Sequence, residues 1–535
     1  MLLSTPSRKR GLNPLELLSI AAFVQIVNAG PLIREAAIAL PKTIDDCGKA
    51  PLPDSFLSYS VEFAFFPDFG GNATHPNDFS INLVTSLAEI QGSYPIMRVG
   101  GNTQDKTTFM PNQTKAIINT YDDKVSLDYP AKVEIGPAFF ESYDNFENST
   151  AIHGFNFAKG GSCTACLNSV LDHAIAACTA LGDRALAWEY GNEPDMYGLI
   201  GERPRSWNEE AIYPNWRVGK EAITAAFKKH CPDSSASVKY IAPSFAIPFK
   251  FMDPIRTWKA GFSNDSDIFA FGQHNYVGVS TDPGLTLRSS LLNHTYTVRS
   301  LQNMTRIMEG VSLPPETPFM LTETNSLARQ GLPLVSDTFG AALWNVAYAL
   351  RAASIGVQRL HMHQGVNYRY GSWQPIETNR SVKATKPAFY GNVATADFVG
   401  RASGELRVME VDPNNGRPTE EQAVYAAFVG DVLERLAVVN LGQWNATQQG
   451  PRPDMQYEFQ TSGGIKEAKV KRLIADGTDS YSGVTYGGFS YNWELENGKP
   501  VRLNNVTDVE IVPIGADGRL VIKVPQASAA IITLA

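Results

Sequence analysis

The sequence predicts an α/β protein, a (β/α)8 barrel followed by a C-terminal antiparallel β-sandwich. Two observations carry that reading. From residue 56 to about 365, short runs of β-formers ending in polar or Gly residues alternate with longer helical stretches. Beyond about residue 400 the pattern turns all-β, with strand-like runs between Gly, Pro and Asn turns. A doubly wound sheet is the alternative for the first part, but no Gly-rich phosphate loop follows the first strand.

The eight barrel strands are expected at Phe56–Phe63, Tyr94–Gly101, Gly154–Ala158, Ala185–Tyr190, Val238–Ser244, Ile268–His274, Pro318–Thr322 and Val357–His363. Helices are expected at Cys163–Leu181, Asn208–His230 and Ser336–Ser354, the last with Leu343, Ala347, Leu350 and Arg351 at helical spacing. The sandwich strands are expected at Glu405–Asp412, Ala423–Gly430, Arg435–Leu441, Gln456–Thr461, Ala468–Ile474, Val509–Ile514, Leu520–Val524 and Ala530–Leu534. The short run Ala36–Leu40 is expected to add a strand to that domain. The organisation is therefore a signal peptide over 1–29, an N-terminal segment over 30–54, a barrel over 55–398 and a β-sandwich over 399–535.

The signal peptide rests on Arg8-Lys9-Arg10, the apolar stretch Leu17–Val27 and small residues at Val27-Asn28-Ala29. That stretch is too short to span a bilayer, which needs about 20 residues. Nine Asn-X-Ser/Thr sites, at Asn72, Asn112, Asn148, Asn264, Asn293, Asn303, Asn379, Asn445 and Asn505, favour a secreted glycoprotein. Five cysteines then imply one or two disulfides and a leftover thiol, with the pairing open. Cys163-Thr-Ala-Cys166 lacks a second pair or nearby His ligands and reads as structural. A net charge of −8, from 46 basic and 54 acidic residues, argues against nucleic acid as a partner. A monomer without a membrane span is expected.

In a barrel enzyme the catalytic groups sit at the C-terminal ends of strands. Strand four breaks into Gly191-Asn192-Glu193-Pro194-Asp195, and strand seven delivers Glu323 in Leu321-Thr322-Glu323-Thr324-Asn325. Glycoside hydrolysis needs two carboxyl groups facing each other across the sugar. Strands four and seven lie nearly opposite in an eight-stranded barrel, so Glu193 and Glu323 meet that demand. Asn192 can bond a sugar 2-hydroxyl, and Pro194 fixes the turn. Glu323 alone would read as an exposed turn residue, while the Asn-Glu-Pro context already sets Glu193 apart; the two together read as a site.

With these motifs the chain resembles the clan of retaining (β/α)8 glycosidases, and within it glycoside hydrolase family 79, the β-glucuronidase and heparanase group in its fungal form. Supporting segments are Ser58-Tyr-Ser-Val-Glu62-Phe-Ala-Phe-Phe-Pro-Asp68, Arg98-Val-Gly-Gly-Asn102, Asp337-Thr-Phe-Gly-Ala-Ala-Leu-Trp344 and His361-Met-His-Gln-Gly-Val-Asn-Tyr-Arg-Tyr370. The resemblance implies Glu193 as acid/base and Glu323 as nucleophile, with carboxyl groups about 5–5.5 Å apart and Glu193 protonated at working pH. It implies that Tyr276 orients Glu323 and that Glu62 binds sugar hydroxyls. The substrate carboxylate falls to Tyr370 with backbone N–H groups of the Ala328, Arg329, Gln330, Gly331 loop. The Arg329 side chain either pairs a uronate or is solvated. His274, His361 and His363 form no metal-spaced set, so neither metal nor cofactor is expected.

The expected activity is exo-hydrolysis of terminal β-D-glucuronic or 4-O-methyl-glucuronic acid from glycans or glycosides. The rivals are a heparanase-like endo-enzyme, a xylosidase-like neutral glycosidase and an inactive carbohydrate-binding protein. The acidic charge disfavours the first, and the presence of both glutamates with Asn192 and Tyr276 disfavours the last.

Overall fold

The computed structural model describes residues 38, 40, 50–233, 238–413, 420–461 and 464–534. The expected signal peptide, most of the segment up to residue 49, and Cys47 lie outside the described residues. All described residues belong to one compact unit.

Eight parallel strands close into a barrel: β1 (Leu57–Glu62), β2 (Met97–Gly100), β3 (Ala151–Phe155), β4 (Ala185–Tyr190), β5 (Tyr240–Phe245), β6 (Ile268–Val279), β7 (Phe319–Ala328) and β8 (Arg359–Gln364). Neighbours pair in sequence order, and β8 closes onto β1. The barrel interior is layered. Ile96, Ile152, Ala187, Ile241, Ala270 and Met320 form an apolar floor near the strand starts. Further along the same inward-facing positions the residues turn polar and stay buried, as at Ser60, Arg98, Glu189 and His363. Outward positions such as Tyr59, Val99, Phe155 and Trp188 join the core beneath the surrounding helices.

Two of the three expected helices occur within one residue of their predicted ends, α2 (Thr164–Leu181) and α3 (Glu209–His230). The third, α6 (Phe339–Ser354), starts three residues late because Thr338 is still extended. Helix α1 (Asp78–Gln91) follows β1, capped by the Asn77 side chain on Ser80 N. Helices α4 (Pro254–Lys259), α5 (Gln302–Val311) and α7 (Pro387–Val399) complete the ring. Helix α2 is the one described helix long and apolar enough to cross a bilayer. It instead lays Val170, Ala174, Ala177 and Leu181 into the core.

Three expectations are corrected. Strand three begins three residues early and ends at Phe155, because Asn156 caps a short helix over Phe157–Gly160. Strands β6 and β7 run five and six residues past their expected ends, pairing beyond the barrel rim through Leu327↔Gly278 and Ala328↔Val279. A three-stranded sheet, Thr107–Phe109, Ile117–Thr120 and Lys132–Ile135, is inserted between β2 and β3 where no strand was expected.

The change to all-β falls between Val399 and Leu406. Strands β9 (Leu406–Glu410), β10 (Gln422–Val429), β11 (Val432–Asn440), β16 (Ser528–Leu534) and β13 (Glu467–Ile474) form one antiparallel sheet, with β14 (Glu510–Pro513) on β13. Strands β12 (Asp454–Gln460) and β15 (Arg519–Pro525) make the second layer. Ile38 extends that layer by a single parallel bridge to Phe459. The large sheet is buried on both faces. Val424, Phe428, Val438 and Ile532 meet the second layer. Alternate residues Ala423, Tyr425, Ala427 and Ala437 join the barrel core. Helix α6 sits at that junction, with 14 of its 16 residues buried, and the Tyr425 hydroxyl donates to Ala347 O at 2.8 Å. A helix apolar on all sides is stable only when covered on all sides.

Four cysteines pair as Cys163–Cys166 and Cys178–Cys231. The second joins α2 to the end of α3, closing a loop with a sequence separation of 53. A Cys178→Ala, Cys231→Ala double variant is expected to lose about 2–4 kcal/mol of stability, read by urea unfolding under oxidising conditions. A Cys163→Ala, Cys166→Ala variant should lose less, since its loop is far shorter.

Candidate active site

The turn after β4 places Glu193. Gly191 has φ +100°, and a Cβ there would lie 2.7 Å from the Phe157 side chain. Glu193 itself is left-handed at φ 52°, ψ 50°, a conformation costing a non-Gly residue roughly 1–3 kcal/mol. The surroundings hold it there. Its N–H donates to Ser244 O at 3.0 Å, and its carbonyl accepts from Met196 N at 2.9 Å. The Asp195 carboxylate takes the Ala246 and Ile247 N–H groups. Asp105 accepts from Asn192 N on the other side.

Glu323 stands at an irregularity in β7. The ladders to β6 and to β8 both shift register beside it, between Leu321 and Glu323 and between Leu321 and Thr324. Such a bulge re-aims a side chain at a strand end. Its two oxygens are held separately: Tyr276 Oη donates to Oε1 at 2.8 Å, and Arg98 Nη1 donates to Oε2 at 2.8 Å. A Glu193 oxygen, a Glu323 oxygen and a His274 ring nitrogen all lie within 4.8 Å of one another.

Arg98, fully buried, ties these parts together. All five of its N–H groups are used, on Glu189 twice, Ser60, Glu323 and Asn192 Oδ1. Glu189 turns its other oxygen to Ser244 Oγ at 2.6 Å. Gly100 makes room, since a Cβ there would lie 2.6 Å from the guanidinium carbon. A buried ion pair of this kind holds only when every group is matched.

The two carboxyl groups are biased in opposite directions. Burial, and then the charge of Glu323, push Glu193 up to about 8, against the opposing pull of Arg98. Burial also acts to raise Glu323, but His363, His274, the permanent charge of Arg98 and the Tyr276 hydroxyl together hold it well below the ordinary carboxylate range. Burial pushes His274 down to about 4, so a neutral imidazole meets Glu193 Oε1 through Nδ1 at 3.0 Å. The site thus presents one protonated carboxyl group facing one carboxylate. Glu193, His274 and Glu323 are also the one group of metal-ligating side chains so close together among the described residues.

The remaining expected residues surround this pair. Glu62 is buried, and its oxygens take four donors or ring contacts: Thr103 N, Thr103 Oγ1, Tyr368 Oη and His363 Nε2. With those positions filled, Glu62 orders its neighbours rather than offering a free oxygen. The Tyr370 ring lies 5.9 Å from that of Tyr276. Ala328 ends β7, and Arg329, Gln330 and Gly331 follow with φ of 61°, 63° and 81°. Their carbonyls are tied back by Ser280 Oγ and by Arg369 through its backbone and guanidinium. That leaves the Arg329 and Gln330 N–H groups without an acceptor among the described residues. The Arg329 side chain is exposed. His361 bonds Leu321 O through Nδ1 inside the barrel wall.

Sequence reasoning assigned no role to Arg98, Glu189, Ser244, His363 or Asp105. Their signal was available: a lone charged residue on the inward side of an apolar strand, as in Ile96-Met97-Arg98-Val99 and Ala187-Trp188-Glu189-Tyr190.

Comparison with known proteins places this geometry. The glycosyl hydrolase family 79 C-terminal beta domain matches residues 424–531. A β-glucuronidase of Aspergillus niger is 40% identical over 98% of this chain and 99% of its own length. A β-glucuronidase of Neurospora crassa is 40% identical over 85% of this chain and 88% of its own. Among solved structures, a 4-O-α-L-rhamnosyl-β-D-glucuronidase from Fusarium oxysporum superposes with a TM-score of 0.73 at 20% identity, over 93% of this chain and all of that one. A family 51 arabinofuranosidase from Xanthomonas axonopodis pv. citri shares the fold more distantly, with a TM-score of 0.59 at 12% identity over 93% of this chain and 99% of that one.

Removing the central cation gives a test of the lattice. Arg98→Met should cost about 3–5 kcal/mol at pH 8, because Glu189 and Glu323 are left buried without their counter-charge. Without Arg98 the Glu323 carboxyl loses part of what holds it below the ordinary range, so the cost is present while it is ionised and shrinks as acid protonates it. Urea unfolding at pH 5 and pH 8 should show the larger loss at pH 8.

Proposed function

The chain belongs to glycoside hydrolase family 79, and from that premise we propose that Glu323 is its nucleophile and Glu193 its acid/base in a retaining hydrolysis of terminal β-glucuronides. It is a β-glucuronidase, an O-glycosyl hydrolase on a carbohydrate substrate. The observation that carries the assignment is the pair itself, a Glu193 oxygen and a Glu323 oxygen within 4.8 Å of each other on carboxyl groups biased to opposite protonation. An inverting pair would stand about 6.5–9.5 Å apart to admit a water molecule.

Glu323 attacks the anomeric carbon with the oxygen held by Tyr276, while Arg98 keeps the carboxylate ionised and aimed. Glu193 gives its proton to the leaving oxygen. A covalent glucuronyl-enzyme forms, and the Glu323 charge that raised Glu193 is gone. Glu193, now a carboxylate, takes a proton from water, which attacks the anomeric carbon and releases glucuronic acid with the β configuration. Asn192, fixed through Arg98 and Asp105, binds the 2-hydroxyl. Tyr370 and the free N–H groups of the Arg329–Gln330 turn receive the substrate carboxylate.

Exo action is supported by the likeness to the two β-glucuronidases over most of the chain. The inserted segment reaches the loop after β8, where Asp128 takes both Arg369 guanidinium arms and also Arg380. Export is supported by the sequons: Asn112, Asn148, Asn264, Asn303, Asn379 and Asn505 are exposed, and Asn72, Asn293 and Asn445 half-buried. The protein acts as a secreted monomer in this reading, on glucuronic or 4-O-methyl-glucuronic acid caps.

Glu323→Ala should abolish turnover of aryl β-glucuronides with the fold retained. Glu193→Ala should keep substantial activity on good aryl leaving groups and lose it on alkyl glycosides, at least 100-fold by the usual weight of general-acid catalysis. Wild-type kcat/KM should fall as pH rises through about 8, where Glu193 loses its proton. Its acid limb should lie below the ordinary carboxylate range, because Glu323 is depressed. Equal kcat/KM on aryl β-xyloside and aryl β-glucuronide would favour the neutral-glycosidase rival.

A further inference from the structure

The donors around the pocket that face the substrate carboxylate in the reading above, Tyr370 and two backbone N–H groups, are neutral. Such donors bind a carboxylate more strongly than an ester carbonyl, and a formal positive charge close by would widen that preference. The cations at the site are mostly engaged. Arg98 has all five N–H groups on protein acceptors. Arg369 is likewise saturated, by Asp128, Gly331 O, Asn367 O and Arg329 O. Lys386 donates to Tyr368 O at 2.6 Å.

Lys106 differs. It follows β2 on a turn braced at two points, by Thr103 on Glu62 and by Asp105 on Asn192 N and the Tyr197 hydroxyl. That places it between the end of β1 and the turn that carries Glu193. The side chain is half-buried, and its ammonium lies 4.6 Å from the centre of the Tyr129 ring. Asp128, the residue before Tyr129, takes the Arg369 guanidinium, which also donates to Arg329 O and Gly331 O, so the Lys106–Tyr129 pair is tied to the turn that receives the substrate carboxylate. Asp128, next to Tyr129, is the residue clamped by Arg369 and Arg380, which fixes the ring in place. No protein carboxylate pairs with the Lys106 ammonium among the described residues. Burial lowers its pKa, while Glu62 and Glu202 act to raise it. The other cation at this turn without a partner, Arg329, is exposed, where a charge is screened by water and salt.

We infer that Lys106, held under Tyr129, is the charge-selective element of the glycone pocket, supplying the positive charge that distinguishes a glucuronide from its uncharged counterpart. The inference rests on the β-glucuronidase assignment and goes beyond it by naming the residue that reads the sugar's charge.

The test compares an aryl β-glucuronide with its C6 methyl ester, which keeps every hydroxyl and the carbonyl but carries no charge. Lys106→Met should raise KM for the glucuronide about 10-fold, the equivalent of about 1.4 kcal/mol, with kcat little changed. The ester, measured as substrate or as competitive inhibitor, should change less than about 3-fold, and Lys106→Arg should recover most of the loss, since it restores the charge. Thermal unfolding checks each variant, and Lys106→Gln replaces the Met variant should that one not fold. Equal losses for both compounds, which hydroxyl binding or a structural role would produce, overturn the inference. So does an unchanged KM for the glucuronide. Turnover of the glucuronide by the wild type tests the underlying assignment separately.

Discussion

One buried guanidinium organises the catalytic end of the barrel. Arg98 rises from β2 into the barrel lumen and joins Glu189 on β4, Glu323 on β7, Ser60 on β1 and Asn192 on the turn that carries Glu193. Each partner comes from a different element, so the five hydrogen bonds also fix where those strand ends stand relative to one another. The charge does a second job. With His363, His274 and the Tyr276 hydroxyl it holds Glu323 as a carboxylate in a place where burial would protonate it, and burial together with that carboxylate keeps Glu193 protonated. The difference in protonation between Glu193 and Glu323 is thus a property of the lattice, since the two side chains are chemically the same.

The rest of the fold can be read as support for that lattice. The apolar floor seals the lumen below it, and the helices and β-domain hold the strands at fixed tilt. Tyr425 reaches from the β-domain to α6, and α6 carries Tyr348, whose hydroxyl meets Thr324 and Asn275 beside Glu323. A chain of packed groups therefore leads from the β-domain to the residue after Glu323. The strained turn at Glu193 and the bulge at Glu323 are local departures from regular structure, and both lie where a side chain must point across the lumen.

Much of this was legible in the sequence, and the failures have physical causes. The barrel rhythm was readable because each strand is short, apolar and followed by a helix with its own period. The ends of β6 and β7 were not, because pairing beyond the rim is a tertiary matter that Asn275–Val279 and Thr324–Ala328 do not announce. The inserted sheet was missed because its strands, three or four residues long and half exposed, carry no clear alternation. Glu193, Glu323, Asn192 and Tyr276, singled out by strand ends and a family resemblance, stand together at one end of the barrel. Arg98 and Glu189 were passed over because strand-end reasoning looks at the tips, and these two residues lie within the strands. Glu62 was expected to face the sugar, yet its oxygens are filled by Thr103, Tyr368 and His363.

The central claim is that the lattice around Arg98 separates the protonation states of two identical side chains. A carbon-13 NMR titration of the glutamate carboxyl groups, assigned by the Glu193→Gln and Glu323→Gln variants, measures this directly. The account predicts that the Glu323 resonance stays that of a carboxylate from pH 4 to pH 9 while Glu193 titrates near 8. Two carboxyl groups titrating together in the ordinary range, or Glu323 holding the proton instead, would contradict it.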